Sequence, residues 1–247
     1  MKINLMMLAS LAMAAIVAMP VKAQTQKVTG KYKKALVIGA HPDDPETMCG
    51  GTMLVLKNQG CEVVSVYLTA GQAGIQGKTH AEAEAIRRAE SDSACRVMGV
   101  RHIFMNQVDG ATEVNLERYK QMKEIIAREK PDVVFTHWPI DSHRDHRACA
   151  LLVYDAWRQL DHSFDLYYGE VMTGVQTQTF TPTDYVDISS VVDIKHKACL
   201  YHVSQDMPDL LNGWHIPMEK MRGNEFRCAA AEAFVKQQWK TSQITDR

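Results

Sequence analysis

The sequence has almost no net charge. Its 247 residues contain 28 Lys and Arg against 29 Asp and Glu, which gives a formal net charge of −1 at pH 7. A protein that binds nucleic acid through its phosphates needs an excess of positive charge on one surface. The composition therefore gives no support for nucleic acid as a partner.

The apolar run near the amino end is shorter than the roughly 20 residues that a membrane-spanning helix needs. It covers residues 5–19, follows the positive Lys2, and leads into the sequence V-K-A at residues 21–23. A positive start, an apolar stretch and small residues at the end are typical of a secretory signal peptide. We therefore predict a signal peptide over residues 1–23, cleaved after Ala23, with export to the periplasm or the extracellular space and no stable membrane span in the mature chain.

Paired cysteine motifs are absent. The sequence has six cysteines but no C-x-x-C pair, so it lacks the spacing of a zinc-thiolate site. Most of the cysteines fall within predicted apolar elements, where a free thiol behaves as a small apolar side chain. We expect buried thiols at Cys49, Cys61, Cys95, Cys149, Cys199 and Cys228.

The sequence also lacks internal repeats, low-complexity segments, long linkers and the G-x-G-x-x-G nucleotide motif. Residues 24–247 are therefore predicted to form a single domain. Apolar strands alternate with polar-faced helices, which predicts a Rossmann-like α/β fold with three α/β/α layers and a mostly parallel sheet. Strands are predicted over residues 34–40, 62–68, 101–105, 132–136, 164–172 and 184–188, with helices over 46–58, 79–98, 116–129 and 143–160, and mainly helix beyond.

The densest group of ionisable residues directly follows the first predicted strand. His41, Asp43 and Asp44 lie within four residues, between that strand and a helix. In a doubly wound sheet this position is the carboxyl edge, where ligands bind. A cation relieves the repulsion between crowded carboxylates. Two prolines in the same loop restrict the backbone, so the side chains can be held ready for a ligand.

A second group follows the predicted strand that ends at residue 136. Residues 137–146 contain three of the ten histidines, together with Asp141 and Asp145. The two groups are about a hundred residues apart in sequence, but parallel strand ends of one sheet can bring them together. Imidazole nitrogens and carboxylate oxygens are ligands that zinc accepts, with one position left for water. The pattern therefore predicts a metal site.

These motifs resemble those of the PIG-L or LmbE-like deacetylases, a family that removes acetyl groups from N-acetylglucosamine-type substrates. The family's first motif matches A-H-P-D-D at residues 40–44, followed by Glu46, and its second motif, H-x-D-H, matches residues 143–146. Weaker similarities extend the resemblance to about residue 205. One departure is Gln72, where many members carry an acid in a loop near the substrate.

The resemblance implies that His41, Asp44 and His146 hold zinc, or another divalent ion such as Fe²⁺. Zinc lowers the pKa of its bound water to about 7, and Asp43 would take the proton as a general base. His143 would stabilise the oxyanion in a protonated form, and Asp145 would hold the His143 ring and favour its charge. Asp43, His143 and Asp145 are thus the expected catalytic residues.

The resemblance and the motif loops also suggest substrate contacts, each of which has a simpler alternative. Two adjacent arginines can bind a sugar hydroxyl or form ion pairs on a helix face. The motif-loop indole and carboxylate can line the site or serve as ordinary packing and loop groups. The residues concerned are Arg87, Arg88, Trp138, Asp141 and His202.

Three other functions fit parts of the pattern. Two histidines and a carboxylate also hold iron in non-haem oxygenases, although those enzymes usually have β-jelly-roll folds. A zinc-containing sugar-binding protein without turnover would need no base such as Asp43. The same groups could hydrolyse another amide or an ester. The sequence leaves open the sugar, the acyl group and the oligomeric state, including a homo-oligomer.

Overall fold

The computed structural model describes residues 30–239, and the predicted signal peptide lies outside them. The strands form one seven-stranded sheet in the order β3-β2-β1-β4-β5-β7-β6. The strands are β1 (Lys34–Gly39), β2 (Glu62–Thr69), β3 (Arg101–Gln107), β4 (Val133–His137), β5 (Asp165–Gly169), β6 (Asp184–Asp187) and β7 (Ala231–Lys236). The α-helices are α1 (Asp44–Asn58), α2 (His80–Met98), α3 (Leu116–Glu129), α4 (Arg144–Gln159), α5 (Val192–Cys199), α6 (Met207–Leu210) and α7 (Ile216–Phe226).

The first five strands are parallel, and their centre is apolar on both faces. Residues 35–39 of β1 are completely buried between β2 and β4. Such continuous apolar strands need helices on both sides of the sheet. One core cluster packs α1 and α2 against the sheet, and a second packs α3 and α4 against its other face. The predicted three-layer α/β fold is confirmed.

The last described strand differs from the prediction of mainly helix near the carboxyl end. β7 is antiparallel to both β5 and β6, and it completes the sheet between them. Its sequence, A-E-A-F-V-K, contains residues that favour helices, so local propensity does not indicate a strand. Tertiary contacts decide instead, because the buried Glu232 accepts hydrogen bonds from the backbone N–H groups of Gly51 and Thr52 at 2.8 and 2.7 Å.

Parallel pairing of β1 with β4 brings the two motif loops to one edge of the sheet. β1 ends at Gly39 and β4 at His137, and the backbone N–H of Ala40 donates to His137 Nε2 at 2.9 Å. The helices α1 and α4 begin directly after these loops, at Asp44 and Arg144. The fold therefore places both motifs at adjacent helix starts.

All six cysteines lie in the described region as free thiols. Five are buried and Cys228 is partly exposed, so burial is confirmed for most of them. Among the described helices, none is both long enough and apolar enough to span a bilayer.

Candidate active site

The two sequence motifs meet at the carboxylate of Asp44. One of its oxygens lies 3.2 Å from His41 Nδ1, and the other lies 3.3 Å from His146 Nε2. Asp44 begins α1, whereas His146 lies in the first turn of α4. The start of each helix thus contributes a side chain to one point, and a single carboxylate contacts both imidazoles.

The charges around Asp44 keep it ionised. Burial alone would raise its pKa, but the neighbouring charge of His146 and the hydrogen bond with it hold the pKa well below its usual value. Burial likewise lowers the pKa of His41, yet the surrounding carboxylates outweigh this effect and raise it well above the usual value. The cluster therefore brings ionised carboxylates and imidazoles together among buried side chains.

The donor atoms suit a divalent cation. Among residues 30–239, three sets of side chains have ligand atoms that all lie within 4.8 Å of one another. Imidazole nitrogen and carboxylate oxygen are ligands for zinc and for several other divalent ions. The predicted ligands His41, Asp44 and His146 are distributed over these sets, and Asp44 contacts both histidines. The sets are His41 with His143 and His146, Asp44 with His137 and His146, and His41 with Asp109 and Asp145.

Asp141, one of the predicted substrate contacts, lies behind the cluster. Its carboxylate is 3.3 Å from His146 Nδ1 and accepts the backbone N–H of His143 at 2.7 Å. Since Nε2 of His146 faces Asp44, Asp141 contacts the opposite nitrogen of the same ring. A carboxylate in this position fixes the tautomer and the orientation of a metal-binding imidazole.

The predicted carboxylate–imidazole pair between Asp145 and His143 is wrong. Oδ2 of Asp145 lies 3.2 Å from His41 Nε2, and its Oδ1 accepts from Thr112 Oγ1 at 2.7 Å. The contact with His143 is made by the backbone, because the N–H of Asp145 donates to His143 Nδ1 at 3.3 Å. Asp145 points towards the loop after β3, and the loop N–H of Gly110 also donates to it at 2.7 Å.

The charged form of His143 is also disfavoured. Burial and the neighbouring charges of His41 and His146 lower its pKa, and they outweigh the opposite effect of Asp145. His143 lies at the N-cap of α4, with ring centroids 4.7 Å from His41 and 4.8 Å from His146. It therefore faces the cluster as a neutral imidazole whose Nδ1 accepts a hydrogen bond.

Asp43 forms an ion pair with the buried Arg87. The Asp43 backbone has a φ of 112°, an unusual value for a residue other than glycine, and its Oδ2 lies 3.0 Å from Arg87 Nη2. Arg87 is 1% exposed, and its guanidinium also contacts the carbonyl oxygen of Pro42. Burial raises the pKa of Asp43, and the charge of Arg87 partly offsets that rise. Arg87 is thus part of the site rather than of a solvated ion-pair face.

Two residues at the cluster were not predicted as site residues. His137 is completely buried, and its Nε2 lies 3.3 Å from Asp44 Oδ2. Asp109, in the loop after β3, has its Oδ1 3.1 Å from His41 Nε2. Their signal in the sequence is the position of a polar residue at or just beyond the end of a buried parallel strand.

Gln72, the departure from the family pattern, stabilises the loop that carries Asp109. Its Oε1 accepts the backbone N–H of Asp109 at 3.2 Å, and its Nε2 donates to the carbonyl of Gln107 at 3.3 Å. An amide serves here because it can accept and donate at once. Gln72 therefore acts through Asp109.

A cavity of about 370 Å³ opens in front of the cluster. Asp43, Asp44, His143 and His146 line one side of it, together with Arg87. Apolar side chains line another part of the cavity. They are Val171, Met172, Met207 and Leu210.

Among the five predicted substrate contacts, only Arg87 lines this cavity. Arg88 forms a surface ion pair with Glu84 at 2.8 Å. Trp138 donates its Nε1 hydrogen to the carbonyl of Gln178 at 3.0 Å and packs against other aromatic rings. His202 is completely buried, 3.7 Å from Glu46. For Arg88 and Trp138 the simpler alternative describes the contacts, and His202 lies in the packing behind α1.

Known proteins resemble this chain in both sequence and fold. The family model for GlcNAc-PI de-N-acetylases, PIG-L, matches residues 36–157. The diacetylchitobiose deacetylase of Thermococcus kodakarensis is 32% identical over 74% of this chain and 73% of its own length. The solved N,N'-diacetylchitobiose deacetylase of Pyrococcus horikoshii has a TM-score of 0.74 and 26% identity, with 87% of each chain covered.

A further relative carries a different activity in its name. The 4-oxalmesaconate hydratase of Pseudomonas putida is 25% identical over 67% of this chain and 71% of its own length. One fold can therefore carry more than one reaction, and the site residues must decide between them. The extent of the match to the Thermococcus protein, together with the family model, shows that this chain belongs to the PIG-L family.

Proposed function

We propose that this protein is a metal-dependent deacetylase that removes an acetyl group from an N-acetylated sugar or glycoconjugate. The observation that carries the proposal is the pairing at Asp44 of His41 and His146, beside a carboxylate, Asp43, that belongs to a separate ion pair. The diacetylchitobiose deacetylases among the relatives support a glucosamine-type substrate. Hydrolysis of an amide needs both an electrophile-activating centre and a base, and this site offers residues for each.

His41, Asp44 and His146 would hold the metal, and zinc suits this mixed nitrogen and oxygen donor set. When bound, such an ion polarises a carbonyl group and lowers the pKa of a water molecule. Asp141 and Asp145 orient the imidazoles of His146 and His41 through their outer nitrogens. The same donors accept Fe²⁺, so the identity of the metal remains part of the proposal.

Asp43 is the proposed general base. It takes a proton from water as the water oxygen bonds to the acetyl carbon, and it returns that proton to the nitrogen as the C–N bond breaks. Burial raises the pKa of Asp43, and this suits a group that must both accept and release a proton near neutral pH. Arg87 holds the carboxylate in position through the contact at 3.0 Å.

His143 is the proposed hydrogen-bond donor to the oxyanion. Its Nδ1 accepts the backbone N–H of Asp145, so the neutral ring carries its proton on Nε2. The ring lines the cavity beside His146. A neutral donor held in place in this way stabilises developing charge without the protonated form that the sequence suggested.

Two alternatives have less support. A non-haem iron oxygenase would use a similar donor set, but the alternating α/β fold differs from the jelly-roll on which such enzymes usually occur. A sugar-binding protein without turnover would have no use for Asp43, which is held by a buried arginine next to the cluster. A hydratase is a third alternative, because the Pseudomonas relative is named as one. Detection of acetate and free amine as products distinguishes a deacetylase from a hydratase.

Acetate release from a panel of N-acetylated sugars, measured together with the metal content of the purified chain, tests the proposal. We expect one equivalent of acetate per free amine, loss of release with a chelator, and recovery with zinc. Oxygen consumption with an iron-loaded chain would support the oxygenase instead. Binding of sugars without any acetate or amine would support the non-catalytic alternative.

We also propose that the protein acts outside the cytoplasm after removal of residues 1–23. The support is the order of positive, apolar and small residues at the amino end. Amino-terminal sequencing of the protein recovered from a cell fraction tests this, with Gln24 expected as the first residue. A chain that begins at Met1 in the cytoplasmic fraction would overturn it.

A further inference from the structure

The cavity of about 370 Å³ in front of the Asp44 cluster is here called the reaction cavity. A second depression lies next to it on the protein surface. We refer to it as the outer groove. It has a volume of about 230 Å³, and no charged side chain lines it. Its main walls are Met172, Trp214, Pro217, Met218 and Met221.

The outer groove adjoins the reaction cavity at one residue. Met172 lines both, and the cavity on its inner side has further apolar walls at Val171, Met207 and Leu210. Apolar side chains therefore line both spaces next to Met172. A ligand that reaches past Met172 from the cavity would meet a groove without charged side chains.

A π-helical segment, Leu211–His215, contributes residues to the lining of both spaces. Of two consecutive residues, Trp214 lines the outer groove and is 42% exposed, whereas His215 lines the reaction cavity and is 2% exposed. Pro217 follows this segment and has no N–H to continue a regular hydrogen-bond ladder, which suits a local change of helical register. Such π-helical insertions occur frequently at functional sites.

The outer groove exposes apolar side chains to water. Trp214 and Met221 are each more than a third exposed, and removal of their apolar surface from water is favourable. Methionine and tryptophan side chains adapt to apolar ligands of varied shape and give large contact areas. The groove lacks the converging charged and amide groups with which the inner cavity can bind sugar hydroxyls.

We propose that the outer groove binds an apolar aglycone, an alkyl or aryl group attached to the acylated sugar, while the sugar occupies the inner cavity. This inference rests on the proposed function. The acetyl group named for the deacetylase relatives is small and must lie beside Asp43 and His143 for hydrolysis, so it does not need a groove beyond Met172. The groove is thus assigned to the opposite end of the substrate.

The test compares acetate release from free N-acetylglucosamine and from its hexyl glycoside, with the zinc-loaded full chain. We expect a lower KM for the hexyl glycoside. Trp214→Ala should raise that KM about tenfold, since truncation removes a large aromatic contact, while the KM for the free sugar and kcat for both should change less than about twofold. Leu116→Ala, which truncates an 87% exposed side chain on α3, is the matched control and should leave both substrates unaffected.

Binding of hexyl glucoside, which has no acetamide, separates this inference from the proposed function. If neither acetylated sugar is hydrolysed, the deacetylase proposal fails, and calorimetric binding that is lost in Trp214→Ala still supports the groove. Equal KM values for the two sugars in the wild-type protein would overturn the inference while leaving deacetylation intact. It would also be overturned if Trp214→Ala changed only the oligomeric state, or if the sensitive substrate were an N-octanoyl sugar without an aglycone.

Discussion

The imidazole of His137 stacks on that of His146, with ring centroids 3.9 Å apart and ring planes within 12°. His137 also accepts the backbone N–H of Ala40, so it connects the end of β4 to the first motif loop. Burial and the neighbouring charge of His146 lower the pKa of His137 to about 4, which keeps the stacked ring neutral. His137 thus packs a rigid, uncharged surface against a proposed metal ligand.

Replacement of His137 should weaken metal binding even though His137 is not a proposed ligand. His137→Ala removes both the stacked ring and the acceptor for Ala40, and loss of such supporting contacts costs about 10- to 100-fold in affinity. Competition with a chromogenic chelator measures the dissociation constant. The control is His80→Ala, which removes an exposed imidazole at the start of α2. Unchanged affinity in His137→Ala would contradict the role of the stacking.

Asp43 and His146 should respond differently to substitution. Asp43→Asn removes the base but none of the proposed ligands, so the metal should remain while kcat falls by about 10²- to 10⁴-fold. His146→Ala should lose the metal together with the activity. Metal analysis after gel filtration, with acetate release on the same samples, distinguishes the two. Equal metal loss in both variants would show that the assigned roles are not separate.

Gly51 should tolerate no larger side chain, because α1 packs closely against the segment before α5. A Cβ atom at Gly51 would lie 2.5 Å from Cγ2 of Ile188 and 2.7 Å from its Cβ. Gly51→Ala should therefore reduce the free energy of unfolding by about 1–3 kcal/mol, as overpacking does in well-packed cores. Urea denaturation measures the change. At Gly213 a Cβ would meet no atom within 4 Å, so Gly213→Ala should be neutral or slightly stabilising, and equal losses in both variants would contradict the packing argument.

The buried Lys195 should make the fold sensitive to acid. Its Nζ lies 2.7 Å from oxygens of both Glu219 and Glu232. Burial would raise the pKa of Glu219, but the charge of Lys195 and a hydrogen bond with His196 outweigh it and lower the pKa to about 2. In the unfolded chain the pKa of Glu219 is about 4.5, so its lower pKa in the folded state stabilises the fold at any pH above about 4.5. This stabilisation disappears as the pH falls towards 2.

Glu219→Gln should therefore flatten the dependence of stability on pH below about 4.5, where the wild-type protein loses on the order of 2 kcal/mol. Thermal unfolding of chelator-treated samples between pH 5 and 2 excludes any contribution from bound metal. Glu84→Gln changes a partly exposed carboxylate and serves as the control. A wild-type slope that persists in Glu219→Gln would place the acid sensitivity elsewhere.

Much of the fold could be predicted because local and tertiary preferences agree. Strands such as β1 are apolar almost throughout, helices such as α2 have clear starts and ends, and the connections from α1, α2 and α3 to the strands that follow them are short. β7 could not be predicted, since its alanines and glutamate favour a helix. The carboxylate of Glu232 becomes compatible with a buried strand only through Lys195 and the backbone of α1, which are distant in sequence.

The position of the site was predictable where one loop carries several proposed ligands, and the contacts that cross between loops were less so. The meeting of His41 and His146 follows from strand order, because parallel strands end at the same edge. The partner of Asp145 does not follow from strand order, because a carboxylate at a helix start can turn to either His143 or His41. Hydrogen bonds from Gly110 and Thr112 in the loop after β3 hold it towards His41. The direction of the Asp145 side chain depends on those distant donors, the backbone N–H of Gly110 and the hydroxyl of Thr112.

The position of β7 between β5 and β6 has a consequence for biosynthesis. During translation, β5 leaves the ribosome with one edge open, and β6 has no strand to join until residues 231–236 have been made. An open sheet edge is a template for pairing with other chains. A nascent chain that stalls before Ala231 would therefore expose a surface that depends on chaperones for protection from aggregation.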